Sequence, residues 1–406
     1  MGAQMNSGST HIASRKQLVL ILLALAMGTF TLGLTEFSVM PMLPLVADSF
    51  AVSAAQSGHI ISAYAAGVVV GAPLLMVLTP KLDRRIALIL FAMMIFVFNG
   101  LSAAAASFEQ IVLFRFLSGI PHGAYFGTAL LFGAKLAPEG RSTLYMSRVF
   151  AGLTVATIVG VPMATLLAQH FSWRWSLLLV SLLALLTCVL LWRVLPSLDT
   201  DSQGLRNDLA VLKNPLIWPI VGIAVIGFGG VFCLYTYLAD TMLDVTQVPA
   251  FNISIAMIIF GIGSTVGNWL FGQVRDRVVA RVTGIALIYC LVLALIYVRA
   301  ASNLWFLYGV VFLLGASLGL TTVIQAMLMR VAKGGHAVIG ALLQCAFNSA
   351  NAIGPLAGSL VLANGYAANT TGYVAAALFG GGFVMWFVSR MQLRYRAQLP
   401  ADPGAY

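Results

Sequence analysis

Residues 196–214 read PSLDTDSQGLRNDLAVLKN, the longest polar break in a chain of 406 residues. What flanks this break decides the fold. Before it, apolar stretches cover 17–43, 53–78, 86–106, 109–133, 143–168 and 173–195. After it, they cover 216–239, 250–273, 282–298, 303–328, 337–363 and 372–389. Stretches of about 20 apolar residues match the thickness of a bilayer core. Six spans on each side of one linker describe an all-α membrane protein of 12 transmembrane helices. The expected division is an N-terminal half at 1–195, a linker at 196–214 and a C-terminal half at 215–406.

Composition agrees. The chain is 60 % hydrophobic and 8 % charged, with a mean hydropathy of +0.97, whereas soluble domains carry roughly a quarter charged residues. The net charge of +10 does not point to nucleic acid, because the basic residues punctuate the chain between spans. Of the 22 Lys and Arg, all but Arg115, Arg174 and Arg299 fall near the termini, in the central break or in loops on that same side. Such a bias places both termini in the cytoplasm. The apolar run after Arg15-Lys16 is too long for a signal peptide and reads as a retained first helix. Cys188, Cys233, Cys290 and Cys345 lie in separate spans without a CxxC, as packing residues.

The halves echo each other. Gly67 and Gly71 precede Arg85 by 18 and 14 residues, and Gly263 and Gly267 precede Arg281 by the same intervals. Val161-Pro162 in span 5 answers Gly354-Pro355 in span 11. Parallel repeats of this kind place a substrate site near the midplane between the halves.

With these residues in view, the chain resembles the major facilitator superfamily, and within it the twelve-span drug:proton antiporter branch. TEF at 35–37 followed by MPMLP is similar to the first span of that branch. RFLSGIPHGAYFG (115–127) is similar to the fourth, with Arg115 and Gly119 in the Arg-x-x-x-Gly pattern. GLTVATIVGVP (152–162), with Gly160 and Pro162, resembles the fifth, and SWRW (172–175) the loop after it. The loop after span 2 departs from the family pattern at Met76, Pro80 and Asp83 but keeps Arg84 and Arg85. Its second copy keeps Gly272, Asp276, Arg277 and Arg281. Thr165-Leu166 replaces the glycine pair that closes the full span 5 motif. The resemblance implies proton-coupled efflux of a sugar, nucleoside or drug from a bacterium across its inner membrane. It also implies a gating or structural role for the motif residues Arg84, Arg85, Gly119, Gly160, Pro162, Asp276, Arg277 and Arg281.

Charges inside spans are rare and mark ion or substrate paths. Glu36 lies 12 residues before Asp48 and Arg115 six residues after Glu109, so both lie well inside the same end of their spans. Comparable depth allows them to pair, as a structural salt bridge or as proton-coupling machinery; the resemblance favours the second. His122, two turns beyond Arg115, is a proton relay or a packing histidine. Gly119, Gly123 and Gly127 form a stripe for close helix approach. Gln344, Asn348 and Asn351 share one face of span 11, for substrate or for interhelical contact. Tyr64, Tyr235, Tyr237 and Gln325 are further candidates for the substrate cavity.

No HExxH, metal-spaced cluster or Walker lysine occurs, which removes ATP as energy source and leaves no cofactor in view. GASLG (315–319) fits the nucleophile elbow only by spelling, since it lies within a span. The expected protein is a monomeric transporter, not an enzyme, with protons, a small molecule and lipid as its partners. Proton-coupled uptake on the same fold is the alternative; a membrane-embedded enzyme lacks its constellation, and a channel does not need the six-plus-six repeat. The topology is testable: single cysteines at residues 205 and 398 should resist an impermeant thiol reagent in intact cells. Labelling there at either position contradicts twelve spans.

Overall fold

The computed structural model describes residues 15–79, 82–138, 141–197, 209–332 and 336–398. Pro80 and most of the central break, 198–208, lie outside these residues. The described chain folds into twelve long helical segments: α1 (Arg15–Phe37), α2 (His59–Leu78), α3 (Arg84–Ala104), α4 (Phe108–Lys135), α5 (Ser142–Val155, continuing through Ala156–Gly160 and Val161–His170) and α6 (Trp173–Val194). The second half holds α7 (Ile217–Thr236), α8 (Phe251–Gly272), α9 (Val279–Ala300), α10 (Leu304–Ala332), α11 (His336–Ala363) and α12 (Thr371–Gln398). Eleven of them are long and apolar enough to cross a bilayer. The twelfth, α4, spans 28 residues, about 42 Å at 1.5 Å per residue. Arg115, His122, Pro121 and its glycines dilute its apolar character without shortening it.

The first span is shorter as a helix than its apolar run. α1 stops at Phe37; a 3-10 turn (Met40–Met42) and a short helix (Leu43–Phe50) follow. Pro41 and Pro44 each stand at the start of one of these pieces. Proline has no N–H to offer the preceding turn and its ring crowds the carbonyl four residues back, so the long helix ends before it. α5 carries a π-turn at Ala156–Gly160 for the same reason. Pro162 cannot donate, and the Val161 N–H reaches back five residues to Ala156 O.

Both halves use one packing scheme. α2 packs on α4, α3 on α6 and α1 on α5; correspondingly α8 packs on α10, α9 on α12 and α7 on α11. The repeated glycines are the contact points. A Cβ on Gly67 would lie 2.0 Å from Phe116 O, and one on Gly263 would lie 2.1 Å from Phe312 O. Facing them, a Cβ on Gly119 would meet Tyr64 O at 2.1 Å and one on Gly315 would meet Phe260 O at 2.2 Å. The backbones touch, which is how apolar helices associate in lipid, where apolar burial gives no drive. The stripe read from sequence ends at Gly123, because Gly127 faces nothing within 4 Å.

Large apolar side chains such as Leu23, Leu360 and Val384 are exposed outward to lipid. Trp192, Trp218 and Trp269 ring one end of the bundle, and Trp175, Trp305, Tyr366 and Tyr373 the other, as interfacial belts do. Between the halves, α2 meets α11 and α5 meets α8. Gln169 Nε2 donates to Ala250 O at 2.7 Å, and Ser62 Oγ to Ala352 O at 2.9 Å. These bonds lie between mid-bundle and the end remote from the basic loops, so that end is sealed.

The glycine contacts set a stability expectation. Gly119→Ala should lower the melting temperature in detergent, by the about 1–3 kcal/mol typical of overpacking, because a backbone carbonyl must move. Gly127→Ala should leave it unchanged or raise it. Equal losses at both positions would contradict this packing.

Candidate functional site

Arg115 is fully buried, and its guanidinium is held on three sides. Nη1 donates to Thr35 Oγ1 at 2.9 Å and to Asn99 Oδ1 at 3.4 Å, while Nη2 donates to Thr35 O at 2.8 Å. Thr35 Oγ1 in turn donates to Asn99 Oδ1 at 2.6 Å. The Tyr64 ring lies 4.2 Å beneath the guanidinium carbon. Thr35 is in the last turn of α1, where carbonyls lack a helical donor. Arg115 therefore caps the helix that Pro41 prevents from continuing, and a cation at a helix C-terminus also suits the helix dipole.

This corrects the expected Glu36–Arg115 pair: no ion pair joins them. Thr35 and Glu36 are about 100° apart around the helix, and Arg115 meets the threonine face. Glu36, 6 % exposed, points elsewhere. Its Oε1 accepts from Asn351 Nδ2 at 3.1 Å, and its Oε2 lies 3.8 Å from His122 Nε2. His122 Nδ1 is 2.6 Å from the Tyr64 hydroxyl. When that hydroxyl donates, the imidazole is neutral and its remaining proton sits on Nε2, facing the carboxylate. Tyr64, a candidate from sequence for the substrate cavity, is the shared partner of Arg115 and His122. Asn351 comes from α11, so the carboxylate of one half is held by an amide of the other.

The sequence pattern of the Major Facilitator Superfamily matches residues 25–337. The chain belongs to this superfamily. It is 34 % identical to the inner membrane transport protein YdhP of Escherichia coli over 91 % of this chain and 95 % of that one. It is 28 % identical to a probable sugar efflux transporter of Helicobacter acinonychis, covering 92 % and 96 %. The crystal structure of a bacterial homologue of the human lysosomal transporter Spinster, inward-facing and occupied, superposes with a TM-score of 0.65. That match covers 95 % of this chain and 96 % of the other at 16 % identity, which establishes the fold alone.

In this superfamily member the remaining candidates scatter. Asn348 is buried beside Asn351 on α11 and donates to Gln344 O at 3.0 Å, leaving its Oδ1 without a partner. Tyr235 packs on Phe260 at 4.2 Å and edge-on to Phe37, which also stacks on Phe232 at 6.5 Å. Tyr237 donates to Pro355 O at 2.9 Å, so it ties α11 to its own half. Gln325 is exposed on α10, outside the Glu36 network. Arg85 donates to Trp192 O, and Asp83, where the family pattern has glycine, caps α3 by accepting from Arg85 N at 2.7 Å. Gly160 packs on Phe30, with Pro162 just past the π-turn. Arg84 is half-buried; Arg277 and Arg281 are exposed, and the Asp276 side chain lies outside the description.

Sequence reasoning missed Thr35 and Asn99. Asn99 had a signal: it is a lone amide in the apolar run MMIFVFNGL, where a polar side chain needs a partner. The Arg115 cap yields a prediction. Arg115→Lys keeps the charge but loses the fork that serves Thr35 Oγ1 and Thr35 O together. We expect a lower melting temperature and transport reduced at least tenfold, with Asn99→Leu giving a smaller loss. Wild-type transport by Arg115→Lys would show that charge alone suffices.

Proposed function

We propose that the protein is a proton-coupled exporter of a small molecule such as a sugar, nucleoside or drug, working by alternating access. The observation that supports this most is the Asn351–Glu36 hydrogen bond across the seam between halves. An ionised carboxylate accepts a strong, charge-assisted bond from the amide; a protonated one accepts a weaker bond. Proton binding at Glu36 thus changes how firmly the halves hold each other. Arg115 keeps the end of α1 in place, and His122 passes or shares the proton through Nε2. The π-turn of α5 rests on α8, where a Cβ on Gly261 would lie 2.8 Å from Thr157 O, giving the halves a pivot.

The halves are 1–195 and 215–406, joined by 196–214, with both termini at the basic, cytoplasmic end of an inner-membrane protein. Substrate enters between the halves, against Gln344, Asn348 and the aromatic group Phe37, Phe232 and Tyr235. Export rather than uptake follows the named activity of the Helicobacter relative. The chain acts alone as a monomer, binds no nucleic acid, and catalyses no covalent step.

Glu36→Gln keeps the shape and removes titration. In inverted vesicles, a pH gradient should drive substrate accumulation by the wild type and not by this variant. Substrate exchange without a gradient should persist at least in part. A Glu36→Gln protein that responds to the gradient like wild type would place the coupling proton elsewhere.

A further inference from the structure

The seal contains a carboxyl group that this mechanism does not use. Four residues beyond α7, Asp240 ends the short segment Leu238–Asp240, which packs on Met40–Met42 and Leu43–Phe50 of the other half and on Ala368–Thr370. Asp240 is 5 % exposed, and its Oδ2 has no hydrogen-bond partner. The titratable groups around it are Asp244, Asp48 on the facing segment, Tyr237 and Tyr297. Neither tyrosine donates to it: Tyr237 is committed to Pro355 O, and Tyr297 to Thr241 Oγ1 at 2.8 Å. No cation is among these neighbours. A carboxylate there would be poorly solvated and repelled by two others, so the site favours Asp240 in its neutral form.

We propose that Asp240 is a second proton-binding group, placed in the seal between the halves, and that its protonation holds this seal shut. The inference rests on the reading that the sealed end faces outward, so that the proton comes from the external medium. When the halves part, water reaches Asp240 and it ionises as an ordinary aspartate, near pH 4. In the sealed form burial, then Asp244 and more weakly Asp48, push its carboxyl up to about 7. The sealed form therefore binds the proton more tightly. Its advantage is complete below about pH 4, falls as pH rises to about 7, and is constant above that. The proton returns to the same external water on opening, so Asp240 moves no charge across the membrane. It makes the outer gate respond to external acidity, which is also what drives the exporter.

Spin labels at Ala51 and Tyr366, both exposed at the sealed end on opposite halves, report opening once the native cysteines are replaced by Ala. The separation is measured in lipid nanodiscs from pH 4.5 to 8. A Glu36→Gln background removes the coupling carboxyl, so failure of the proposed function and failure of this inference are separate. In that background the long-distance population should grow relative to the short one by up to about tenfold per pH unit below 7. Adding Asp240→Asn, nearly isosteric, should fix the short distance at every pH. A pH response that vanishes with Glu36→Gln alone, or that survives Asp240→Asn, overturns the proposal. A shift produced at fixed pH by sodium instead of protons also overturns it, since the seal would then be a cation site.

Discussion

A carboxyl group in the middle of a membrane protein must be partnered or neutral, and the partner of Glu36 belongs to the other half of the molecule. The 3.1 Å bond from Asn351 makes the state of one oxygen atom a property of the whole seam. Burial strengthens the dependence, since little water is present to replace a lost bond. The rest of the centre exists to hold that carboxyl in place. Arg115 does so indirectly, by finishing α1 through the Thr35 carbonyl, with Asn99 and the Tyr64 face closing the cage.

The proline pair at 41 and 44 is the counterpart of this cap. By stopping α1 at Phe37, it leaves Thr35 O without a helical donor and frees the chain to turn into the segment that seals the end of the bundle. One interruption thus supplies both the acceptor for the buried arginine and a wall of the seal. Glycine contacts fix the frame around it: the α2–α4 approach that brings Tyr64 against Arg115 and His122 is set by Gly67, Gly71 and Gly119.

Much of this was legible in the sequence. Apolar runs and basic loops gave the spans, and the matching intervals of Gly67, Gly71, Gly263 and Gly267 became matching helix contacts. Glu36, Arg115 and His122 stood out because charge and imidazole are rare in apolar runs, and all three meet at one centre. Their pairing was not legible, because residue spacing gives depth along a helix but not which face meets which neighbour. Glu36 and Arg115 have comparable depth, yet a turn of about 100° gives Arg115 to Thr35 instead. Tyr64 read as a cavity residue because nothing in its own span shows that two polar groups from α4 would flank it. The span 11 stripe divided in the same way, with Asn351 on Glu36 and Gln344 away from it.

Whether Glu36 and Asn351 act through one bond is measured directly by a double-mutant cycle. Gradient-driven substrate transport is compared in wild type, Glu36→Gln, Asn351→Leu and the double variant, with each protein's insertion verified. If the bond carries the coupling, the double variant should lose no more than the worse single variant. Losses that multiply, as for independent sites, would contradict it.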